Sequence, residues 1–238
     1  LLYIPSKLLR LKNIFREDKF WVARKKAIIC NNIHNLYMNM LITETSPTNN
    51  VNSLPLRLLT VREYHLMTEV GILTDEEKVE LINGQIITMS PQRSFHAAAI
   101  RRADRLFSKL FKENVIVQKQ LPIIVNDFSQ LEPDIAIVKY DPLDYDDRHP
   151  DATEVYLIIE IADTTLKTDL EVKRQLYASA NIPEYWVLDL KQRQLHVYRE
   201  PNHQDYQTSI ILTEEQAIAP LHFPNTKIKI SEMLRPSS

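Results

Sequence analysis

The chain has 238 residues, 44% of them hydrophobic and 25% charged, with a formal net charge of −2. At roughly 100–200 residues per domain, that is one globular core with room for an appendage. It has two glycines, Gly71 and Gly84, and one cysteine, Cys30, which removes several functional classes at once. Glycines this sparse exclude a G-x-G-x-x-G dinucleotide fold, a G-x-x-x-x-G-K-[ST] phosphate loop and a G-x-S-x-G nucleophile elbow, all of which need close backbone approach. A lone cysteine excludes an intramolecular disulfide or a multi-cysteine zinc site and fits a reducing cytoplasm. No histidine pair has H-E-x-x-H spacing, and no apolar run nears the roughly 18 residues that span a bilayer. The chemistry left rests on Asp, Glu, Lys and oxygen-seeking metals.

The charge is unevenly spread. Residues 1–39 carry eight Lys/Arg against two Asp/Glu, a net of +6, and residues 40–238 carry 21 against 29, a net of −8. The basic stretch reads as a targeting peptide, a nucleic-acid-binding arm, or an extension upstream of a start at Met38 or Met40. Residues 45–55 (TSPTNNVNSLP) read as a linker. We expect residues 1–57 to be a poorly ordered extension that adds nothing to the core, and 58–236 to form the functional domain.

In chain order, Thr60 with Glu63 three residues on is a capping-box start for a short helix. Asn83-Gly84 between two alternating runs predicts a hairpin, because both turn residues need positive φ. Residues 92–112 predict a helix with Phe95, Ala99, Ala103, Leu106 and Leu110 as its apolar stripe. Arg101, Arg105, Lys109 and Lys112 lie opposite, either a solvated face or DNA phosphate contacts. Strands follow over 115–125 (interrupted by Pro122), 132–138 and 155–161. Residues 166–180 predict a helix, 184–190 and 194–200 a strand pair, 206–212 another strand, and a short helix closes the chain. The order predicts an α/β fold, a mixed central sheet flanked by helices with the β-hairpin at its N-terminal side.

Four side chains carry chemistry. Glu160 lies inside V-Y-L-I-I-E-I-A, a strand apolar on both faces. A carboxylate there must be paired, protonated or metal-bound. Asp134 opens the strand after Pro133, where the plain alternative is a turn. Lys173 falls inside the apolar stripe Leu166, Leu170, Tyr177, Ala180, so it snorkels to water or meets a buried anion. A right-handed crossover from the Glu160 strand would bring the two together, with Asp169 placed to pair with Lys173 one turn away. Glu80 in K-V-E-L-I is a further carboxylate or an exposed strand residue. Together they resemble equipment for phosphodiester hydrolysis: hard oxygen ligands for Mg²⁺ or Mn²⁺ and a basic group to orient water or neutralise charge.

Asp134…Glu160…Lys173 resembles the PD-(D/E)XK nuclease superfamily. Seven segments resemble the Uma family of restriction-endonuclease-like proteins: L-T-V-R-E-Y (59–64), V-E-L-I-N-G-Q (79–85), M-S-P (89–91), E-P-D-I-A-I-V (132–138), I-I-E-I-A-D-T-T-L (158–166), D-L-E-V-K (169–173) and Y-A-S-A-N-I-P-E-Y-W-V-L-D (177–189). The resemblance spans about 58–236 and implies a restriction-endonuclease-like core. It implies metal ligands Asp134 and Glu160 with Glu80 completing the acidic cluster, and Lys173 as the catalytic lysine. Ala162 stands where the simple E-x-K arrangement has its lysine, Asn181 where relatives usually have Gly, and Gln85 where an acid is common. The function implied is that of a Mg²⁺- or Mn²⁺-dependent DNA endonuclease, cytoplasmic, not membrane-bound, with a homodimer left open. The alternative is a catalytically silent nucleic-acid-binding or regulatory module on the same fold.

Overall fold

The computed structural model describes residues 55–74, 76–111 and 115–236. The expectations for residues 1–54 and for Lys112 lie outside them. Two compact units divide the chain, one containing Glu63–Glu77 and the other Leu58–Arg62 with the segment from Lys78 onward. Helix α1 (Val61–Glu69) follows Thr60 directly, has Glu63 in its first turn paired with Arg57, and gives way to Gly71 at φ 69°.

The larger unit is built on two sheets. In the first, β1 (Val79–Ile82) and β2 (Gln85–Thr88) form the hairpin with Ile82 opposite Gln85, while β5 (Ser129–Leu131) and β4 (Ile123–Asn126) complete the order β2-β1-β5-β4. The two turn residues take φ 49° at Asn83 and 74° at Gly84, as a two-residue turn matched to strand twist requires. A Cβ on Gly84 would sit 2.5 Å from Leu58 Cβ, so close approach demands glycine as well.

The second sheet has the order β10-β9-β8-β7-β6-β3, from β10 (Tyr206–Thr213), β9 (Gln194–Pro201), β8 (Glu184–Asp189), β7 (Val155–Ala162), β6 (Ile135–Lys139) and β3 (Val115–Gln118). Only β7 and β8 are parallel, joined by the helical crossover over 166–179 that we call α3. Pro122 splits the predicted 115–125 strand more completely than expected. Its halves, β3 and β4, belong to different sheets. A short pair, β11 (Ala217–Ile218) with β12 (Ile228–Lys229), precedes a 3₁₀ turn at Ile230–Glu232 where a closing helix was expected.

Alternation along β7 divides the core. Ile158 and Ala162 pack under α3 with Leu176, Tyr177, Tyr185 and Val187. Leu157, Ile159 and Ile161 pack under α2 (Ser94–Phe111) with Trp186, Leu188, Ile230 and Met233. Helix α2 buries Ala99, Ile100, Ala103, Phe107 and Phe111, whereas Phe95 and Leu110 are exposed. The expected stripe therefore has its phase wrong by about one residue. The bulky Phe107 and Phe111 decide which face turns inward, because they carry the larger apolar area.

Candidate active site

The register of β6 against β7 sets the first two acids side by side. Ile135 stands opposite Ile159, so Asp134, just before β6, borders Glu160. The Asp134 backbone N–H donates to Glu160 Oε2 (3.4 Å), and the Ile161 N–H donates to Asp134 Oδ2 (2.8 Å). Both residues are buried, as is Glu80 on β1. Glu80 is therefore no exposed strand residue, and its Oε1 accepts from the Glu132 N–H at 2.9 Å.

Lys173 does not snorkel. It is 7% exposed, and Nζ donates to Glu160 Oε1 (3.0 Å) and Glu80 Oε1 (3.2 Å). Ala162, two residues after Glu160 on the same strand face, is buried under α3, so the crossover helix delivers the ammonium to the face where an E-x-K lysine would point. The helix does this with an irregularity. An α-helical turn (Leu166–Thr168) passes into a π-helical stretch (Asp169–Lys173) and then α-helix again (Arg174–Ser179). The wider turn leaves both its ends, Asp169 and Lys173, buried. The expected Asp169–Lys173 pairing is replaced by a Thr165 Oγ1–Asp169 Oδ2 bond of 2.7 Å. Among the described residues Asp169 and Lys173 make no ion pair, and Lys173 turns to Glu160 and Glu80.

Three further residues complete the site, Tyr177 from the apolar stripe of α3 and two, Gln120 and His96, that no sequence pattern singled out. Tyr177 OH donates to Glu160 Oε1 at 3.1 Å. Gln120 Nε2 donates to Asp134 Oδ1 at 3.2 Å, and His96 Nε2 lies 3.0 Å from Asp134 Oδ2. His96 also borders a cleft with Arg93, Asp163, Thr164 and Thr165. Its signal was present in the sequence, since His96 shares its helix face with Ile100, Ala103 and Phe107. A stripe drawn through Phe95 hides it.

Electrostatics follow from burial and crowding. Burial pushes Glu160 up to about 8 against the pull of Lys173, with Asp169, Asp134 and Glu80 adding to the rise. Asp169 is likewise pushed up to about 6, first by burial. Burial alone would lower Lys173, but Glu160, Glu80 and Asp169 together hold it above the ordinary ammonium range, so it stays charged. Burial also opposes the charge on His96, yet the bond and charge of Asp134 raise it above its usual value. Tyr177 is raised well above the ordinary phenol, chiefly by burial, and remains a donor.

A hard divalent cation suits part of this donor set. Mg²⁺ needs only one or two carboxylates, with waters and phosphate oxygens filling its shell. Asp134 and Glu160 are adjacent acids, and three carboxylates, Glu160, Glu80 and Asp169, act on one ammonium, so another positive charge would relieve the site. Glu80 does not complete a three-acid cluster. Among the described residues no group of three or more His, Cys, Asp or Glu is placed to hold a metal ion, because the Lys173 ammonium lies between Glu80 and Glu160.

Comparison with known proteins then decides the family. Residues 61–231 match the Uma2 family, described as "Putative restriction endonuclease". The chain belongs to the Uma2 family. No curated protein matches it. Among solved structures, a "putative nuclease belonging to DUF820 from Anabaena variabilis" shares the fold at a TM-score of 0.56 and 16% identity, over 74% of this chain and 97% of that one. This Uma2 chain thus has a nuclease-like, mixed α/β fold. Among its described residues no helix is long and apolar enough to cross a membrane.

Proposed function

We propose that this Uma2 protein is a metal-dependent endonuclease that hydrolyses DNA phosphodiester bonds at Asp134, Glu160 and Lys173, with Mg²⁺ or Mn²⁺ as its ion. The observation that carries the reading is the buried Lys173 ammonium 3.0 Å from Glu160, itself beside Asp134. Asp134 and Glu160 would hold the ion. Its contribution, when bound, is to neutralise charge on the phosphate and acidify a water. His96 and Gln120 hold the Asp134 carboxylate from two sides, and Tyr177 fixes Glu160. Lys173 keeps its proton beside the acids and supplies fixed positive charge to the phosphate as negative charge develops. Glu80 anchors that ammonium, an indirect role in place of the metal ligation expected from the resemblance. A cytoplasmic location is part of this reading, and so is a homodimer, the arrangement that would let two sites cut a duplex.

The test is a cleavage assay on single- and double-stranded DNA with Mg²⁺, Mn²⁺ or Ca²⁺. Cleavage is expected with the first two, little with Ca²⁺, whose looser shell positions water less well, and none for Glu160→Gln. DNA binding without cleavage under any divalent metal, unaffected by Glu160→Gln, would overturn the enzyme reading in favour of a silent binding module.

A further inference from the structure

The outer side of α2 carries Arg101, Arg105 and Lys109, all exposed, with Arg102 half-buried beside them. Arg101 and Arg105 are about one turn apart, roughly 6 Å along the axis. The C-terminal segment adds a fourth arginine. Ile230, Met233 and Leu234 pack into the core under α2 with Ala103 and Phe107, which brings exposed Arg235 to the same region. Arg102 accordingly feels, after burial, the like charges of Arg105, Arg235 and Arg101.

Among the other described arginines all but Arg62 have an acidic partner, as Arg148 has Glu154 and Arg199 has Glu184. Among the described residues Arg101, Arg102, Arg105 and Arg235 make no ion pair, and Arg102 Nη1 is buried without a hydrogen-bond partner. Residues 40–238 carry more acids than bases, so acidic partners are plentiful, yet this patch has none. Uncompensated like charge destabilises a folded protein, and a bound polyanion removes that cost.

We propose that Arg101, Arg102, Arg105 and Arg235 form a phosphate-binding surface that grips the DNA backbone. This deepens the endonuclease reading and rests on it. The planar guanidinium of Arg102 is half-buried at the rim of this surface and held by no acid, which suits it to a phosphate brought in by its exposed neighbours. Its exposed neighbours suit the phosphates on either side. The first turn of α2 holds His96 inward against Asp134, and Arg102 lies about 9 Å further along the axis, with the arginines on the outer side of the same helix.

The test measures binding of the full chain to a fluorescein-labelled random-sequence DNA duplex in EDTA, which prevents cleavage, from about 50 to 250 mM NaCl. The Arg102→Ala/Arg235→Ala variant should weaken binding about tenfold and flatten the log–log salt dependence by about two, one per lost phosphate contact. Arg235→Glu, on an exposed side chain, should weaken it without touching the core, and Lys139→Ala, outside the patch, should leave it unchanged. Variants with an unchanged salt slope would overturn the proposal, as would an RNA duplex of the same sequence binding more tightly than DNA. The outcomes separate from those of the nuclease reading. Arginine-dependent binding with no cleavage in Mg²⁺ or Mn²⁺ leaves this surface standing and sinks the enzyme, whereas cleavage with arginine-independent binding does the reverse.

Discussion

Lys173 balances two buried carboxylates, and its removal would leave both without their counter-charge. Breaking a buried ion pair by deleting one partner costs about 3–5 kcal/mol. Lys173→Ala should lose about that much stability in urea at pH 8 and much less at pH 5, where the acids can take up protons. Its hydrolysis rate should fall about 10²–10³-fold, the scale for one lost preorganised donor. His96 and Gln120 act one step further out. If they hold Asp134 for a cation, His96→Ala and Gln120→Ala should each weaken Mn²⁺ binding about 10–100-fold, read by electron paramagnetic resonance titration of the protein alone. Unchanged Mn²⁺ affinity in both would reduce them to packing residues.

At the scale of elements, two positions show what backbone conformation demands. Gly84 combines φ 74° with a site where a Cβ would meet Leu58 at 2.5 Å. Gly84→Ala should therefore cost more than about 1 kcal/mol, with the loss visible in the urea midpoint. Asn181, which ends α3 at φ 59°, is the reverse case. Asn181→Gly should be neutral or stabilise by up to about 1 kcal/mol, since glycine takes that conformation without the Cβ penalty. The π-helical stretch Asp169–Lys173 explains why two residues of α3 face the site together.

For the whole molecule, the site trades stability for charge. Glu160 is raised from its ordinary 4.5 to about 8. The stability this group contributes is therefore full below about 4.5 and is lost as pH rises through 8. Thermal unfolding of the metal-free protein should show that decline, and Glu160→Gln should flatten it. Mg²⁺ or Mn²⁺ should raise the melting temperature more at pH 8 than at pH 5, because the cation competes with protons for the same oxygens. An equal rise in Asp134→Asn would place the ion elsewhere.

The sequence by itself determined what local rules govern. The Asn83-Gly84 turn follows from positive φ, the Glu160 strand from the apolar run around it, the strand pair over 184–190 and 194–200 from their composition, and Asn181 from cap chemistry. It also marked Glu160 and Lys173, since a charge inside an apolar pattern is conspicuous without any coordinates. Only the tertiary structure decided the partners. Glu80, Glu132, Asp134, Gln120 and His96 meet through register and sheet packing between segments far apart in the chain. The phase of α2 was settled by which aromatic rings could enter the core, and the joint burial of Asp169 and Lys173 by a π-helical stretch that no residue spacing announces. Long-range packing free energy outweighs local propensity at such places, and the candidate site is where that happens most.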